Sequence, residues 1–224
     1  MLEIAGLKKK YHRHTILDNL SLHANQGEIV GLVGENGAGK STLLHILATI
    51  SKPTAGSIHL HDWDYQKHTA QIRKQIGFVP QDIAIWPKLT VEENMVFFEK
   101  LSWQKKSKEE LKQICLEMHL DRWKDPAKTL SGGMQRKLNL AISLIHDPSL
   151  LLLDEPTVGI DLKSRKEIGA YLRRQATEEN KLIIYTSHDM DEIKQLCDRV
   201  LVIGEDSFYH DLLKEAGKEV VVVG

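Results

Sequence analysis

At 224 residues, with 42% hydrophobic and 27% charged side chains, the chain has the make-up of one sizeable globular domain, which excludes wholesale disorder. A balance of 30 Lys and Arg against 31 Asp and Glu leaves a net charge of −1, so bulk electrostatics do not make it a general nucleic-acid binder. Its aliphatic runs, 150–153, 200–203 and 220–223, fall far short of the roughly 20 apolar residues a bilayer span needs, so a membrane role is expected only through a partner. In chain order, Lys8, Lys9 and Lys10 are followed by no long apolar region, which argues against a secretory signal. Short strands are expected at 2–7, 16–22, 28–33 and 57–60. From Thr90 the period changes. Val91, Met95 and Phe98 share one helical face, as do Leu111, Ile114, Cys115 and Met118, and then Leu138, Ile142 and Ile145, so residues 82–146 are expected to be mainly helical. Continuous apolar strands at 150–153, 182–185 and 200–203 alternate with helical patterns near 162–178 and 189–197, which implies a parallel sheet covered on both faces. Beyond Ile203 the pattern weakens. A short helix at 211–216, stopped by Gly217, precedes 218–224, an edge strand or a chain cut before its next element. Cys115 and Cys197 lack metal-ligand spacing and lie in amphipathic patterns, as buried thiols of a reduced, cytosolic protein would.

The strongest chemical signal is Gly34-Glu35-Asn36-Gly37-Ala38-Gly39-Lys40-Ser41, a phosphate loop with a strand before it and a helix, beginning near Thr42, after it. Its glycines let backbone amides turn inward at phosphate, and the helix N-terminus adds its positive end. Lys40 suits the β- and γ-phosphates of ATP, and the Ser41 hydroxyl suits Mg²⁺. The apolar strand 150–153 then ends on Asp154 and Glu155, at the edge where open α/β sheets bind ligands. Asp154 fits the metal shell and Glu155 the general base for an attacking water.

Leu130-Ser131-Gly132-Gly133-Met134-Gln135-Arg136 adds a second anion-binding helix end, with Ser131 as cap and Gly132 and Gly133 exposing the first amides. With this segment the chain, up to about residue 204, resembles the nucleotide-binding domain of ATP-binding cassette (ABC) transporters. The resemblance extends to Tyr11 as the residue that stacks on adenine, Gln81 of Phe78-Val79-Pro80-Gln81-Asp82 as the glutamine loop that touches Mg²⁺ or water, Asp161 of Gly159-Ile160-Asp161 as a contact to the other subunit, and His188 as the switch histidine on the γ-phosphate. Each has a plainer reading: Tyr11 as a surface aromatic beside His12 and His14, Gln81 as a turn cap, His188 as a strand-end histidine held by backbone. Met134 departs from the glutamine many members carry and resembles the ABC-2 type exporter branch. A methionine there can pack but cannot donate to a nucleotide.

The resemblance implies an α/β fold: a P-loop NTPase core with a parallel sheet, an N-terminal antiparallel β subdomain and an inserted α-helical subdomain. It implies one domain over 1–224, with a core at 1–81 and 147–204, the helical part at 82–146 and a C-terminal extension at 205–224. It also implies a head-to-tail dimer, as a homodimer or with a related ATPase subunit, in which Ser131, Gly132 and Gly133 of one copy cover ATP held by Lys40 of the other. A transmembrane permease would dock near Gln81, with Ile83, Ile85, Trp86, Pro87, Phe97 and Phe98 as candidate contacts, at the cytoplasmic face of the membrane; because neighbouring helical residues face different ways, at least one of Phe97 and Phe98 is expected in the core. An importer subunit shares the same engine. A soluble ABC ATPase acting on nucleic acid or ribosomes would ordinarily bring paired cassettes, long coiled-coil insertions or zinc-binding cysteines, none of which is visible, and a small-molecule phosphotransferase would not need residues 130–135.

Overall fold

The computed structural model describes residues 1–204 and 207–223. Two sheets share the work. The first is antiparallel, with strand order β2-β1-β4-β5, built from β1 (Leu2–Tyr11), β2 (His14–Ala24), β4 (Ala55–Leu60) and β5 (Trp63–Asp64). The second is fully parallel, with order β10-β9-β3-β8-β7-β6, built from β3 (Ile29–Val33), β6 (Ile76–Val79), β7 (Leu150–Leu153), β8 (Leu182–Thr186), β9 (Arg199–Ile203) and β10 (Glu219–Val223). Helix α1 (Lys40–Leu47) follows β3, and α2 (Thr69–Arg73) precedes β6. Helices α3 (Val91–Leu101), α4 (Lys108–Glu117) and α5 (Gly132–Ser143) lie between β6 and β7. Helices α6 (Leu162–Thr177) and α7 (Met190–Leu196) follow β7 and β8, and α8 (Ser207–Glu215) leads into β10.

The four Leu residues of β7 show why the parallel strands lack alternation. Leu150 and Leu152 pack into a core shared with α1 and the antiparallel sheet, while Leu151 and Leu153 pack into the core shared with α5, α6 and α7. Both faces are apolar because both are covered. Burial of the two cysteines pushes each thiol up to about 12, so Cys115 and Cys197 stay protonated packing groups.

The expected helical block is present, and two of its helices start on capping boxes, Thr90 with Glu93 and Ser107 with Glu110. The expected C-terminal helix starts earlier than the pattern suggested, at Ser207, and the last strand pairs in parallel with β9. Gly224 lies outside the described residues. Strand β5 and helix α2 were not foreseen, since two and five residues are too few to show a period.

One buried polar residue organises the entry to the helical block. Asn94 is fully buried on α3, accepts from the Trp86 amide at 2.8 Å, and donates to the carbonyls of Trp86, Leu89 and Thr90. Asn94→Ala orphans the Trp86 amide and strips the three carbonyls of their second donor, each keeping only a backbone amide (from Leu89, Ala127 and residue 94), a loss of about 2–3 kcal/mol. A melting temperature lower by roughly 4–12 °C is expected for a domain of this size. An unchanged melt would show that water replaces the asparagine.

Candidate functional site

Strands β3, β8, β7 and β6 are consecutive neighbours in the sheet and run in parallel. Their C-terminal ends therefore reach one edge together, which brings four distant segments side by side. The phosphate loop leaves β3, His188 follows β8, Asp154 and Glu155 follow β7, and Gln81 follows β6. Register is tight, with Leu32 opposite Thr186, Tyr185 opposite Leu153, and Leu153 opposite Val79.

At that edge a cavity of about 500 Å³ is lined by Asn36, Gly37, Gly39, Lys40, Ser41 and Thr42 of the loop, by Gln81, Glu155 and His188 from the other strand ends, and by Tyr11 and Ile16. Tyr11 and Ile16 come from the β1–β2 hairpin, so the antiparallel sheet supplies one wall. The Tyr11 ring is half exposed and the Lys9 ammonium stands 4.6 Å from its centroid. Gly34 and Ala38 sit on the far side of the loop, where they face Ile203 and Gly204. Gly39 caps α1 with φ 110°, and a Cβ there would stand 2.8 Å from Leu17 Cδ2. Only glycine closes the loop at that point.

Lys40 is 8% exposed, and its ammonium donates to the carbonyls of Gly34 at 2.7 Å and Glu35 at 3.0 Å. Burial lowers its pKa, an effect partly offset by the carboxylates of Glu155 and Asp154. A buried cation held only by carbonyls is incompletely compensated and suits an incoming phosphate. Glu155 lies in the left-handed region at φ 47°, with its amide donating to Thr186 Oγ1 at 2.8 Å. Gln81 Nε2 donates to its Oε2 at 3.3 Å, and His188 Nε2 lies 2.8 Å from its Oε1. Asp154 is buried beside it and accepts from Thr186 Oγ1 at 2.9 Å. The Thr186 hydroxyl thus fixes both acids, a role that no linear pattern announced.

The second helix end lies apart from this cavity, which none of residues 131–133 lines. Ser131 caps α5 and accepts from the Met134 amide, and Ser131 and Gly132 are exposed. Gly133 is buried instead: a Cβ there would stand 2.2 Å from Ser164 Oγ, so α5 and α6 meet there. Asp161 caps α6 through Ser164, which donates to it from both its amide and its hydroxyl. Met134 packs on the core, as a residue without donors should. Arg136, also on α5, donates to the Gln81 carbonyl, and Asn139 accepts from the Ala84 amide. One helix thereby carries the exposed serine–glycine end and holds the Gln81 loop. Neither anchor was foreseen; the available sign was polar residues on the buried face of a helix.

The ABC transporter family model matches residues 17–158. The chain belongs to the ABC transporter family. Among its ABC relatives is the linearmycin resistance ATP-binding protein LnrL of Bacillus subtilis (strain 168), 39% identical over 92% of this chain and 67% of that protein. The Nod factor export ATP-binding protein I of Ralstonia nicotianae is 37% identical over 91% of this chain and 64% of that protein. The chain thus spans about two thirds of the length of both. Among solved ABC structures, the dimeric post-hydrolysis state of an ATP-binding cassette bound to ADP and phosphate superposes with a TM-score of 0.80 at 27% identity, over 91% of this chain and 94% of that one. The family and the P-loop architecture expected from the motifs both stand.

Proposed function

We propose that this chain is the ATP-binding and ATP-hydrolysing subunit of a membrane exporter. The observation that carries the reading is the convergence of Lys40, Gln81, Glu155 and His188 on one cavity, with the Ser131–Gly132 end exposed elsewhere on the same chain. Such a site is half built. A second copy, or a related ATPase subunit, arranged head to tail would bring its own residues 131–133 over the phosphates held by Lys40. The relatives named for linearmycin resistance and Nod factor export favour export over import. On the same reading residues 1–224 form one ATPase domain, with 82–146 as its helical part and 205–224 as an extension.

ATP would stack its adenine on Tyr11 and rest its phosphates on the amides of Asn36, Gly37, Gly39 and Thr42, which line the cavity as Gly34 and Ala38 do not, with Asp161 at the subunit contact. The site fits Mg²⁺ by its donor chemistry: the Ser41 hydroxyl, the Asp154 carboxylate and the Gln81 amide oxygen are hard ligands for an ion that takes one or two carboxylates beside substrate phosphates. When bound, the ion neutralises charge on the phosphate oxygens. Lys40 shifts from the loop carbonyls to the β- and γ-phosphates. Glu155 accepts the proton of the attacking water, and Gln81 and His188 hold its two oxygens in place. Closure by the second subunit excludes bulk water from these groups.

Among the described residues no helix is long and apolar enough to cross a membrane. We place the subunit at the cytoplasmic face of the cell membrane, docked on a transmembrane permease. Of the candidate contacts, Ile85 and Phe98 turn into the helical core, whereas Trp86 and Phe97 are 53% and 38% exposed and meet edge to face at 5.8 Å. The permease would cover that aromatic pair and choose the cargo. Purification from membranes with identification of the co-purifying polypeptide tests the reading. A multispanning protein is expected, lost on Trp86→Asp with Phe97→Asp. Recovery of the chain without one, together with a monomeric trapped ATP complex, would sink it.

A further inference from the structure

Glu155 and His188 also line a second cavity, of about 160 Å³, together with Thr157, Arg165, Ser187 and Glu192. Glu192 lies in the first turn of α7, and none of its atoms lines the nucleotide cavity. Its Oε2 accepts from Thr157 Oγ1 at 2.9 Å and from Ser187 Oγ at 2.7 Å. A carboxylate only accepts, so both hydroxyl protons point at it. Thr157 Oγ1 then has only lone pairs for the Tyr185 hydroxyl 3.1 Å away, and the phenol must donate. Ser187 Oγ likewise accepts from the Asp189 amide at 3.1 Å. The network therefore has one direction, with every donor aimed directly or through one hydroxyl at Glu192. Thr157, Tyr185 and Ser187 are buried, so water is poorly placed to replace these bonds.

Thr157 stands two residues after Glu155, and Ser187 one residue before His188. The two members of the 2.8 Å Glu155–His188 contact sit on different loops, and Glu155 holds a backbone conformation that only its surroundings can maintain. The Arg165–Asp189 ion pair ties the start of α6 to the same histidine loop. We infer that Glu192 is a positioning residue for hydrolysis: its carboxylate clamps the Thr157 and Ser187 hydroxyls together and so keeps His188 against Glu155. The inference rests on the proposed roles of Glu155 and His188.

ATP turnover by the full chain tests it, with Glu192→Ala, Glu192→Gln and Glu155→Gln measured side by side. Glu192→Ala is expected to lower kcat by about 10–100-fold, the effect of a small misplacement of the reacting groups. KM for ATP should stay within about threefold, since Lys40 and the loop amides that hold the phosphates are untouched. Glu192→Gln should recover kcat to within about threefold of the parent, because its carbonyl oxygen can take both hydroxyls. In a Thr157→Val, Ser187→Ala background, Glu192→Ala should add less than about twofold, the sign of residues that act as one unit. The ring resonances of His188 should also move in Glu192→Ala without nucleotide. Unmoved resonances with kcat within twofold of the parent overturn the inference. So does a joint fall of kcat, nucleotide affinity and melting temperature that glutamine does not rescue, because that pattern belongs to a purely structural residue. Full turnover in Glu155→Gln would instead remove the base role beneath it.

Discussion

Glu155→Gln is expected to lower ATP turnover by roughly 10²–10⁴-fold, the usual worth of a positioned base. ATP binding should survive. The amide keeps the size and planarity of the carboxylate, and the groups that hold the side chain in place, Gln81, His188 and the Thr186 hydroxyl on its backbone, remain. The side chain is only 13% exposed, so its charge stands in a poorly screened site. Removing that charge beside a triphosphate relieves repulsion while hydrolysis is blocked, and both effects favour the closed, ATP-bound pair. Phosphate release measures the first outcome and size-exclusion chromatography with ATP the second. Near-normal turnover would assign the proton to another group, and failure to dimerise would favour a site that one subunit completes alone, as in a small-molecule phosphotransferase.

The same residue marks how far the sequence could be read. The phosphate loop, the acidic strand end and the serine–glycine helix start are local patterns, each carried by a few consecutive residues, and their linear order was enough to expect the cavity. Strand order was not linear information. That β8 lies between β3 and β7, and so sets His188 against Glu155, follows from pairing across long stretches of chain. The supports of the site were hidden for the same reason. Thr186, Arg136 and Glu192 act through partners 31, 55 and 35 residues away. In the sequence Gly133 reads as an exposed amide, yet its missing Cβ serves the α5–α6 crossing, because only the folded chain reveals Ser164 opposite it. Phe98, unlike Phe97, shares a sequence period with Val91 and Met95, and its inward place was legible from that. The period of α3 separates them, Phe98 inward and Phe97 toward solvent.

That crossing also shows how the two halves of the proposed sandwich are linked within one chain. Helix α5 grips the Gln81 loop through Arg136 and Asn139, and its N-terminal end meets α6 at the Asp161 cap. Lys137 on its flank pairs with Glu167 of α6. In the proposed head-to-tail pair, this one helix would link the Gln81 loop at the nucleotide to the serine–glycine end set against the other subunit.

Lys40→Ala should remove most nucleotide affinity, and for a reason visible before any phosphate arrives. The ammonium is buried and balanced only by two carbonyls, with Asp154 and Glu155 at longer range, so its desolvation is already spent in the free protein. A phosphate that replaces the carbonyls gains a charge-assisted bond of about 1.5–3 kcal/mol without paying that penalty again. The loss corresponds to roughly 10–100-fold in affinity. Thermal shift reads it directly: Mg-ATP at 100 times its Kd stabilises the parent by about 2.7 kcal/mol, whereas a 100-fold weaker variant keeps only about 0.4 kcal/mol. Without nucleotide the variant should melt at or above the parent temperature, because a buried, under-compensated cation has gone and the carbonyls of Gly34 and Glu35 can turn to water. An undiminished Mg-ATP shift would mean that the loop amides and the helix end bind the triphosphate alone, and a large drop in the melting temperature of the free variant would mean that Lys40 braces the loop rather than waiting for its ligand.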